Sequence, residues 1–280
     1  MTSPALSQKT ALITGASGGI GRATARLLAR SGADLILHGH ANTATLESLV
    51  AELKVQYPKS NISAVCADLS LEAEQDRFIE DVSALCFAPD ILVLAAGVDL
   101  MSAAMKQRSF EERLARLWQV DVVSALRLSR FFGERMKAKL QTSDIGLRDQ
   151  VSNANPESRS PKSEAPSQGV VIFFSWDGIE HGMAGETAQL YAAAKGAVQG
   201  FCRSLAHHLA PEVRVNGVAP GWIKTTWGET ASPATDERIA AQSLAGRWGT
   251  AEEVAEVVRF LISDAAAYIN NQTIYVNGGR

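Results

Sequence analysis

The chain carries the stretch TGASGGIG at residues 14–21, directly after the apolar run ALI at residues 11–13. The following residues, RATARLL at 22–28, have the composition of a helix. A strand, a glycine-rich turn and a helix in this order can hold a phosphate, because glycine lets the backbone approach the anion and the N–H groups at the helix start stabilise its charge. The stretch therefore predicts a dinucleotide site on a Rossmann-type sheet.

The rest of the chain repeats this alternation of short aliphatic runs and longer segments of helical period. Such a rhythm is typical of βαβ units, in which helices cover both faces of a parallel sheet. The predicted strands are Thr10–Thr14, Asp34–His38, Ile62–Ala67, Ile91–Ala95, Val170–Phe174, Val213–Val218 and Thr273–Val276. The predicted helices are Ile20–Arg30, Thr43–Gln56, Glu72–Leu85, Phe110–Lys139, Ala188–Leu209 and Ala251–Ser263. We predict an α/β fold, a Rossmann-type doubly wound sheet of seven parallel strands, in a single domain over residues 1–280.

Two segments break the rhythm. Residues 141–168 are rich in Ser, Asn, Pro and charged side chains and carry few aliphatic ones, so we expect a disordered surface insertion there. Residues 222–247 follow Pro220 and Gly221 and are rich in Thr, Ala, Gly and Trp. That composition at the end of a strand favours a lid over a substrate.

Composition narrows the class of protein. The 280 residues have a net charge of -3, which gives no electrostatic reason to bind nucleic acid. No run approaches the roughly 20 apolar residues of a membrane span, and the N-terminal residues lack the pattern of a signal peptide. Cys66, Cys86 and Cys202 stand singly, without the close spacing of a metal or redox motif. We expect a cytoplasmic protein with a small-molecule substrate and with no metal, membrane or nucleic-acid partner.

The end of the second strand bears on the choice of cofactor. A carboxylate at this point takes the ribose hydroxyls of NAD and repels the 2′-phosphate of NADP. Residues 37–43 read LHGHANT, with no carboxylate. The imidazoles of His38 and His40, the side chain of Asn42 and the N–H groups of the next helix can bind a phosphate, which favours NADP, with NAD possible. The alternative is that both histidines are solvated loop residues.

Several further motifs follow along the chain. They are Asp68-Leu69, Ala95-Ala96-Gly97, Tyr191 with Lys195, Arg214–Gly221 and Val276–Gly279. With these motifs and the glycine turn, the chain resembles the short-chain dehydrogenase/reductase family from Lys9 almost to Arg280, in particular its 3-oxoacyl-carrier-protein reductase and pteridine reductase branches. The resemblance implies an oxidoreductase that moves hydride between a nicotinamide and a carbonyl or alcohol carbon. It also implies a homo-oligomer, a dimer or homotetramer, that pairs the helices Phe110–Lys139 and Ala188–Leu209.

The turn, the second strand and the resemblance together give the predicted cofactor-binding residues. They are Gly15, Ser17, Gly19, Ile20, Gly21, His38, Asp68, Leu69, Ala96, Gly97, Tyr191, Lys195, Pro220, Gly221 and Thr225. The resemblance implies that Asp68 contacts the adenine ring, that Lys195 holds the nicotinamide ribose and that Thr225 lies near the carboxamide.

Tyr191 and Lys195 are the predicted reacting pair. They stand four residues apart in a predicted helix, so they share one face and their polar ends can converge. An ammonium near a phenol favours the phenolate, so we expect a lowered tyrosine pKa and a group able to exchange a proton with an alcohol or carbonyl. In isolation, such a pair favours an ordinary surface contact between two helical side chains. The dinucleotide motif elsewhere in the chain is what favours catalysis.

The third predicted catalytic residue is Ser175. The resemblance implies a serine before Tyr191 that hydrogen-bonds the substrate oxygen, but its expected register falls on Gly178. The family's two-serine strand ending aligns Ser175 with its first serine and Trp176 with its second. Three alternatives stay open: Ser175 takes the role with extra residues in the loop, Asp177 replaces it, or the group is lost.

Asp121 is another departure from the family pattern, since it aligns with an asparagine that kinks a helix and holds a water of a proton relay. An aspartate can also bind a water, or it can act as a structural acceptor of backbone N–H groups. The altered positions Leu94, Ala95 and Asp121 motivate a second function, a dinucleotide-binding regulatory protein with weak or lost catalysis.

Overall fold

The structure, a computed structural model, describes residues 5–40, 43–152, 168–229 and 231–279. Its strands are β1 (Thr10–Thr14), β2 (Asp34–Gly39), β3 (Ile62–Cys66), β4 (Ile91–Leu94), β5 (Gly169–Phe174), β6 (Val213–Pro220) and β7 (Thr273–Val276). They form one parallel sheet in the order β3-β2-β1-β4-β5-β6-β7. This confirms the predicted seven-stranded doubly wound sheet, and each strand end lies within two residues of its predicted position.

The order of the strands places the functional crevice. β1 pairs with β2 on one side and with β4 on the other, so the chain reverses its direction of progress across the sheet at β1. In an open parallel sheet, ligands bind beyond the carboxyl ends of the strands at such a switch point. The glycine turn follows β1 directly and therefore lies at this crevice.

Helices cover both faces of the sheet. They are α1 (Gly19–Arg30), α2 (Thr43–Gln56), α3 (Glu72–Leu85), α4 (Ala103–Lys106), α5 (Phe110–Leu117), α6 (Ser124–Ser152), α7 (Glu186–Leu209), α8 (Thr226–Glu229), α9 (Pro233–Ala241) and α10 (Ala251–Ile262). One face is buried under α1, α2 and α10, through residues such as Leu28 and Val258. The other is buried under α3, α6 and α7, through Phe78, Phe132 and Val198. Burial on both faces explains why the strands read as continuous apolar runs.

The long predicted helix Phe110–Lys139 differs from the observed one at both its middle and its end. A π-helical segment, Trp118–Val123, separates α5 from α6. α6 then continues to Ser152, into the segment 141–168 for which we predicted a disordered loop. No proline occurs between Phe110 and Pro156 to end the helix, so polar composition alone was a poor guide to its boundary. Residues 153–167 lie outside the described residues, and the predicted disorder there stays a prediction.

The segment 222–247, predicted as a lid, contains two short helices, α8 and α9. Ser232 is the N-cap of α9, and its hydroxyl accepts from the N–H of Thr235. Pro233 lies in the first turn of the helix. Both features favour a helix start at this point.

The glycine turn requires glycine because backbone packs directly on backbone. Gly15 has a φ of +67°, and a Cβ placed on it would lie 2.6 Å from the carbonyl oxygen of Ala95, in the loop after β4. A Cβ on Gly21 would lie 2.2 Å from the carbonyl oxygen of Gly15. The turn is therefore held between the start of α1 and the loop after β4.

We expect Gly21→Ala to lower the free energy of unfolding by about 1–3 kcal/mol, because the added methyl meets backbone that cannot move aside. The matched control is Gly200→Ala in α7, where a Cβ meets nothing within 4 Å. That variant should gain up to about 1 kcal/mol from helix propensity. Urea unfolding of the two variants beside the wild type measures the difference, and equal stabilities for both would contradict this account of the turn.

Candidate active site

A cavity of about 610 Å³ opens at the carboxyl ends of the strands. Its walls come from the start of α1, the loop after β4, the end of β5, the N-terminal half of α7, the end of β6 and the predicted lid. The residues that line it include Ile20, Asp99, Met101, Ser175, Trp176, Asp177, Met183, Tyr191, Lys195, Pro220, Gly221, Trp222, Ile223, Thr225 and Arg238. The cavity thus connects the glycine turn with the predicted reacting pair.

Tyr191 and Lys195 lie on one wall of this cavity, as their spacing predicted. The phenol of Tyr191 donates a hydrogen bond to the carbonyl oxygen of Val98 at 3.0 Å. The ammonium of Lys195 lies 2.8 Å from Oδ1 of Asp121. The start of their helix is fixed by the buried Arg113 of α5, which donates to the side chains of Glu186 and Thr187.

Asp121 is buried behind the cavity wall, in the π-helical segment. Its Oδ2 accepts the N–H of Val98 at 2.9 Å, while its Oδ1 faces Lys195. The backbone of Val98 therefore contacts both Asp121 and Tyr191: its N–H donates to Asp121 and its carbonyl accepts from Tyr191. Asp121 therefore accepts a backbone N–H, as the structural alternative expects, and its other oxygen pairs with Lys195; the role of holding a water stays a prediction.

The lowered pKa that we expected for Tyr191 is wrong for this arrangement. Burial of the phenol raises the pKa of Tyr191 well above its usual range, and the carboxylates of Asp121 and Asp99 raise it further. Lys195 is 2.8 Å from Asp121, so its positive charge is compensated. Helical spacing indicates the lysine, whereas the burial of the phenol and the nearby carboxylate of Asp121 depend on tertiary packing.

The end of β5 presents Trp176 to the reacting tyrosine. The indole ring lies 6.2 Å from the ring of Tyr191, centroid to centroid, and covers Gly178. The hydroxyl of Ser175 donates to Oε1 of Gln199 in α7 at 3.1 Å, and both residues are buried. The predicted catalytic role of Ser175 therefore requires its hydroxyl to leave Gln199.

Asp177, the third alternative at this strand end, is almost fully buried yet borders the cavity. Its Oδ2 lies 3.5 Å from the side-chain amide of Asn277, which comes just after β7. The carboxylate is thus tied to the end of β7, two strands away in the sheet, and lines the cavity.

His38 does not lie where the sequence interpretation placed it. Its ring is 2% exposed, buried in β2 beneath the glycine turn. The N–H of Gly15 donates to Nδ1 at 3.2 Å, so Nε2 carries the proton and donates to the carbonyl of Ala67 at 3.1 Å. His38 therefore supports the turn from behind and is not positioned for direct contact with a cofactor, while His40 is the more exposed imidazole.

Asp68, the predicted adenine contact, belongs to a cluster of polar and charged side chains. Only part of this cluster was predicted from the sequence. Ser70 donates to Oδ1 through its N–H at 2.9 Å and its hydroxyl at 2.7 Å. Arg116 of α5 donates to both carboxylate oxygens at 3.2 and 3.3 Å, and His40 lies 3.4 Å from Oδ2. Arg116 comes from a distant part of the chain, and no local motif identifies it.

Comparison with known proteins agrees with the architecture. Residues 9–145 match the family described as short chain dehydrogenase, and residues 158–280 match the one described as Enoyl-(Acyl carrier protein) reductase. The chain is 34% identical over 273 residues to the 3-oxoacyl-[acyl-carrier-protein] reductase FabG of Escherichia coli, covering 97% of this chain and 96% of the relative.

Solved structures show the same fold. A short-chain dehydrogenase/reductase from Brucella melitensis has a TM-score of 0.75 at 25% identity, covering 99% of this chain and 98% of that one. A 3-oxoacyl (acyl-carrier-protein) reductase from Agrobacterium tumefaciens C58 with NADP bound has a TM-score of 0.79 at 24% identity, covering 99% and 96%.

The chain belongs to the short-chain dehydrogenase/reductase family. This confirms the resemblance seen in its motifs and the predicted class of activity, an NAD(P)-dependent oxidoreductase of carbonyl and alcohol groups. In the ranges that the structure describes, no helix has both the length and the apolar character to cross a membrane.

The buried imidazole of His38 predicts a pH dependence of stability. Burial lowers the pKa of His38 from 6.5 to about 4 in the folded chain. Above pH 6.5 both states keep a neutral ring; as the pH falls toward 4 the unfolded chain takes up a proton that the folded chain does not. The free energy of unfolding should therefore fall by on the order of 3 kcal/mol over this window on account of His38.

We expect His38→Gln, which cannot titrate, to remove most of this slope, and His40→Gln to leave it in place because that substitution keeps the buried ring of His38. Denaturant unfolding at a series of pH values measures both. Parallel curves for the wild type and His38→Gln would contradict the buried neutral imidazole.

Proposed function

We propose that this chain moves hydride between NADP(H) and a carbonyl or alcohol carbon, with Tyr191 as the group that exchanges a proton with the substrate oxygen. The observation that carries the proposal is the single cavity that contains Tyr191 and Lys195 on one wall and Ile20 of the glycine turn on another. A substrate in this space reaches both the proton donor and the site for the dinucleotide.

The residues present fit a nicotinamide dinucleotide. The backbone of residues 15–21 passes too close to Ala95 for side chains at Gly15 and leads into the N-terminus of α1, which suits a pyrophosphate. Pro220, Gly221 and Thr225 line the same cavity farther along, where the nicotinamide end would be held. When bound, the cofactor supplies or accepts the hydride.

NADP is our proposed form of the cofactor. β2 ends at Gly39, and no carboxylate follows where the ribose hydroxyls of NAD would be held. His40 offers an exposed imidazole at that point, and Asn42 lies outside the described residues. The related structure from Agrobacterium tumefaciens, named as NADP-bound, supports this choice.

The shape of the cavity bears on the substrate. Its walls are largely apolar, through side chains such as Trp176, Met101, Met183 and Trp222, and Arg238 of α9 also lines it. These walls suit a carbonyl compound with an apolar body. Because several relatives are named 3-oxoacyl-[acyl-carrier-protein] reductases, we propose 3-oxoacyl thioesters as the first substrates to examine.

A weakly catalytic dinucleotide-binding protein is the second candidate. Two observations favour it. The hydroxyl of Ser175 is hydrogen-bonded to Gln199, and the side chain beside Tyr191 is the indole of Trp176, so neither residue presents a serine hydroxyl where a substrate oxygen would be polarised.

The predicted homotetramer, the predicted lid at residues 222–247 and the predicted cytoplasmic location remain proposals as well.

We expect Tyr191→Phe to lower turnover by about 10²–10⁴-fold, because the substrate oxygen loses its proton donor. Oxidation of NADPH is followed with a panel of 3-oxoacyl thioesters, ketones, quinones and pterins, for the wild type and the variant side by side. Cofactor affinity, measured by the fluorescence of bound NADPH, should change far less than turnover, because the other predicted cofactor-binding residues remain. If both proteins bind NADPH but no substrate is turned over faster by the wild type than by Tyr191→Phe, the regulatory alternative is favoured.

Trp176 offers a test of the cavity wall. We expect Trp176→Phe to keep kcat, since the apolar surface remains, and Trp176→Ala to raise KM by about tenfold for bulky apolar ketones because a hydrophobic contact is lost. Small ketones serve as the control substrate for both variants. A loss of kcat in Trp176→Phe as large as that in Tyr191→Phe would show that the indole N–H, and not the ring surface, acts on the substrate.

A further inference from the structure

Lys195 has a charged partner that the family resemblance does not imply. Its Nζ lies 2.8 Å from Oδ1 of Asp121, and the side chains are only 12% and 1% exposed. At this separation, and with this little solvent, the ammonium and the carboxylate form a direct ion pair with strong electrostatic interaction.

Asp121 is held in this position from two sides. The N–H of Val98 donates to Oδ2 at 2.9 Å, and Gly97 leaves the space for Oδ1, since a Cβ on Gly97 would lie 3.0 Å from that oxygen. The π-helical segment that carries Asp121 lies against α7, which carries Lys195. The ion pair is therefore a fixed feature of the wall behind the reacting tyrosine.

The charged groups around Tyr191 come from several elements. Lys195 is on its own helix, Asp121 is in the π-helical segment and Asp99 is in the loop after β4. Asp177 at the end of β5 and Arg238 of α9 border the same cavity. Burial is the main cause that raises the pKa of Tyr191, and the carboxylates of Asp121 and Asp99 raise it further, because each disfavours a negative charge on the phenol.

We propose that Asp121 is a positioning residue: it compensates the charge of Lys195 and keeps Tyr191 in its phenol form, so that the site favours reduction of a carbonyl over oxidation of an alcohol. This inference rests on the proposed function. In reduction, the carbonyl carbon receives a hydride from NADPH, which becomes NADP, and the carbonyl oxygen takes the proton of Tyr191. The phenolate left behind regains a proton from solvent. Oxidation of an alcohol needs the phenolate at the start, and Asp121 makes that form scarce.

The first test needs no substrate. Tyrosinate absorbance is titrated in the chain without cofactor, and the curve of Tyr191→Phe is subtracted to isolate Tyr191. We expect no titration of Tyr191 in the wild type up to about pH 11, and in Asp121→Asn a midpoint lower by about one unit or more, since a carboxylate that opposes the phenolate is removed and the charge of Lys195 is no longer compensated. Asp121→Ser carries the same test if the asparagine variant does not fold.

The matched control is Asp99→Asn, which removes another carboxylate near Tyr191 without touching Lys195. Asp99 is exposed, so its effect on the midpoint should be the smaller of the two. A wild-type midpoint near the usual value for tyrosine, or the same curve for Asp121→Asn as for the wild type, overturns the inference.

The second test is kinetic. With a ketone and alcohol pair that the wild type converts, we expect Asp121→Asn to raise kcat for alcohol oxidation at neutral pH by about tenfold, and to move the alkaline decline of ketone reduction to lower pH. Unchanged pH profiles in both directions overturn the directional part. If the absorbance midpoint moves and no carbonyl compound is reduced by the wild type, the proposed function and the directional part fail together, while the ion pair and its effect on Tyr191 stand.

Discussion

The approach of Gly15 to the backbone of Ala95 is the contact on which the arrangement of the site depends. It joins the turn after β1 to the loop after β4, and the N–H of Ala96 adds a hydrogen bond to the hydroxyl of Thr14 at 3.1 Å. Two residues farther along this loop, Val98 contacts both Tyr191 and Asp121. One short loop therefore connects the phosphate turn with the reacting pair, and a displacement of the turn is expected to reach the catalytic wall through continuous backbone.

Lys195 and Asp121 are two buried charges of the site that form a pair. Taking an ammonium and a carboxylate out of water is costly, and the cost is offset when both are close together and hydrogen-bonded. Lys195 and Asp121 meet this condition, and Val98 satisfies the second carboxylate oxygen. Removing either partner would leave the other buried without compensation, so their pairing constrains both the stability of the wall and the charge that Tyr191 experiences.

Local patterns in the sequence predicted the sheet, because parallel strands buried on both faces are continuous apolar runs with helices between them. They also predicted that Tyr191 and Lys195 share a face, since helical spacing is a local property. The π-helical segment Trp118–Val123 has no comparable signature in composition, so it was missed. The pairing of Lys195 with Asp121 joins distant parts of the chain and depends on how α7 packs. His38 was misplaced because β2 is buried on both faces up to its last residues.

The end of β5 shows why alignment alone left the serine unresolved. Ser175 and Trp176 directly follow the last residue of β5 and both border the cavity, but their side chains have different partners. The structure directs Ser175 to Gln199 and places Trp176 beside Tyr191. Extra residues in the following loop would not turn Ser175 around, because its N–H is still paired with Val218 of β6 at 2.8 Å. Under the proposed function, the proton of Tyr191 then carries more of the polarisation of the substrate oxygen, and burial together with the nearby carboxylates keeps that proton on the phenol.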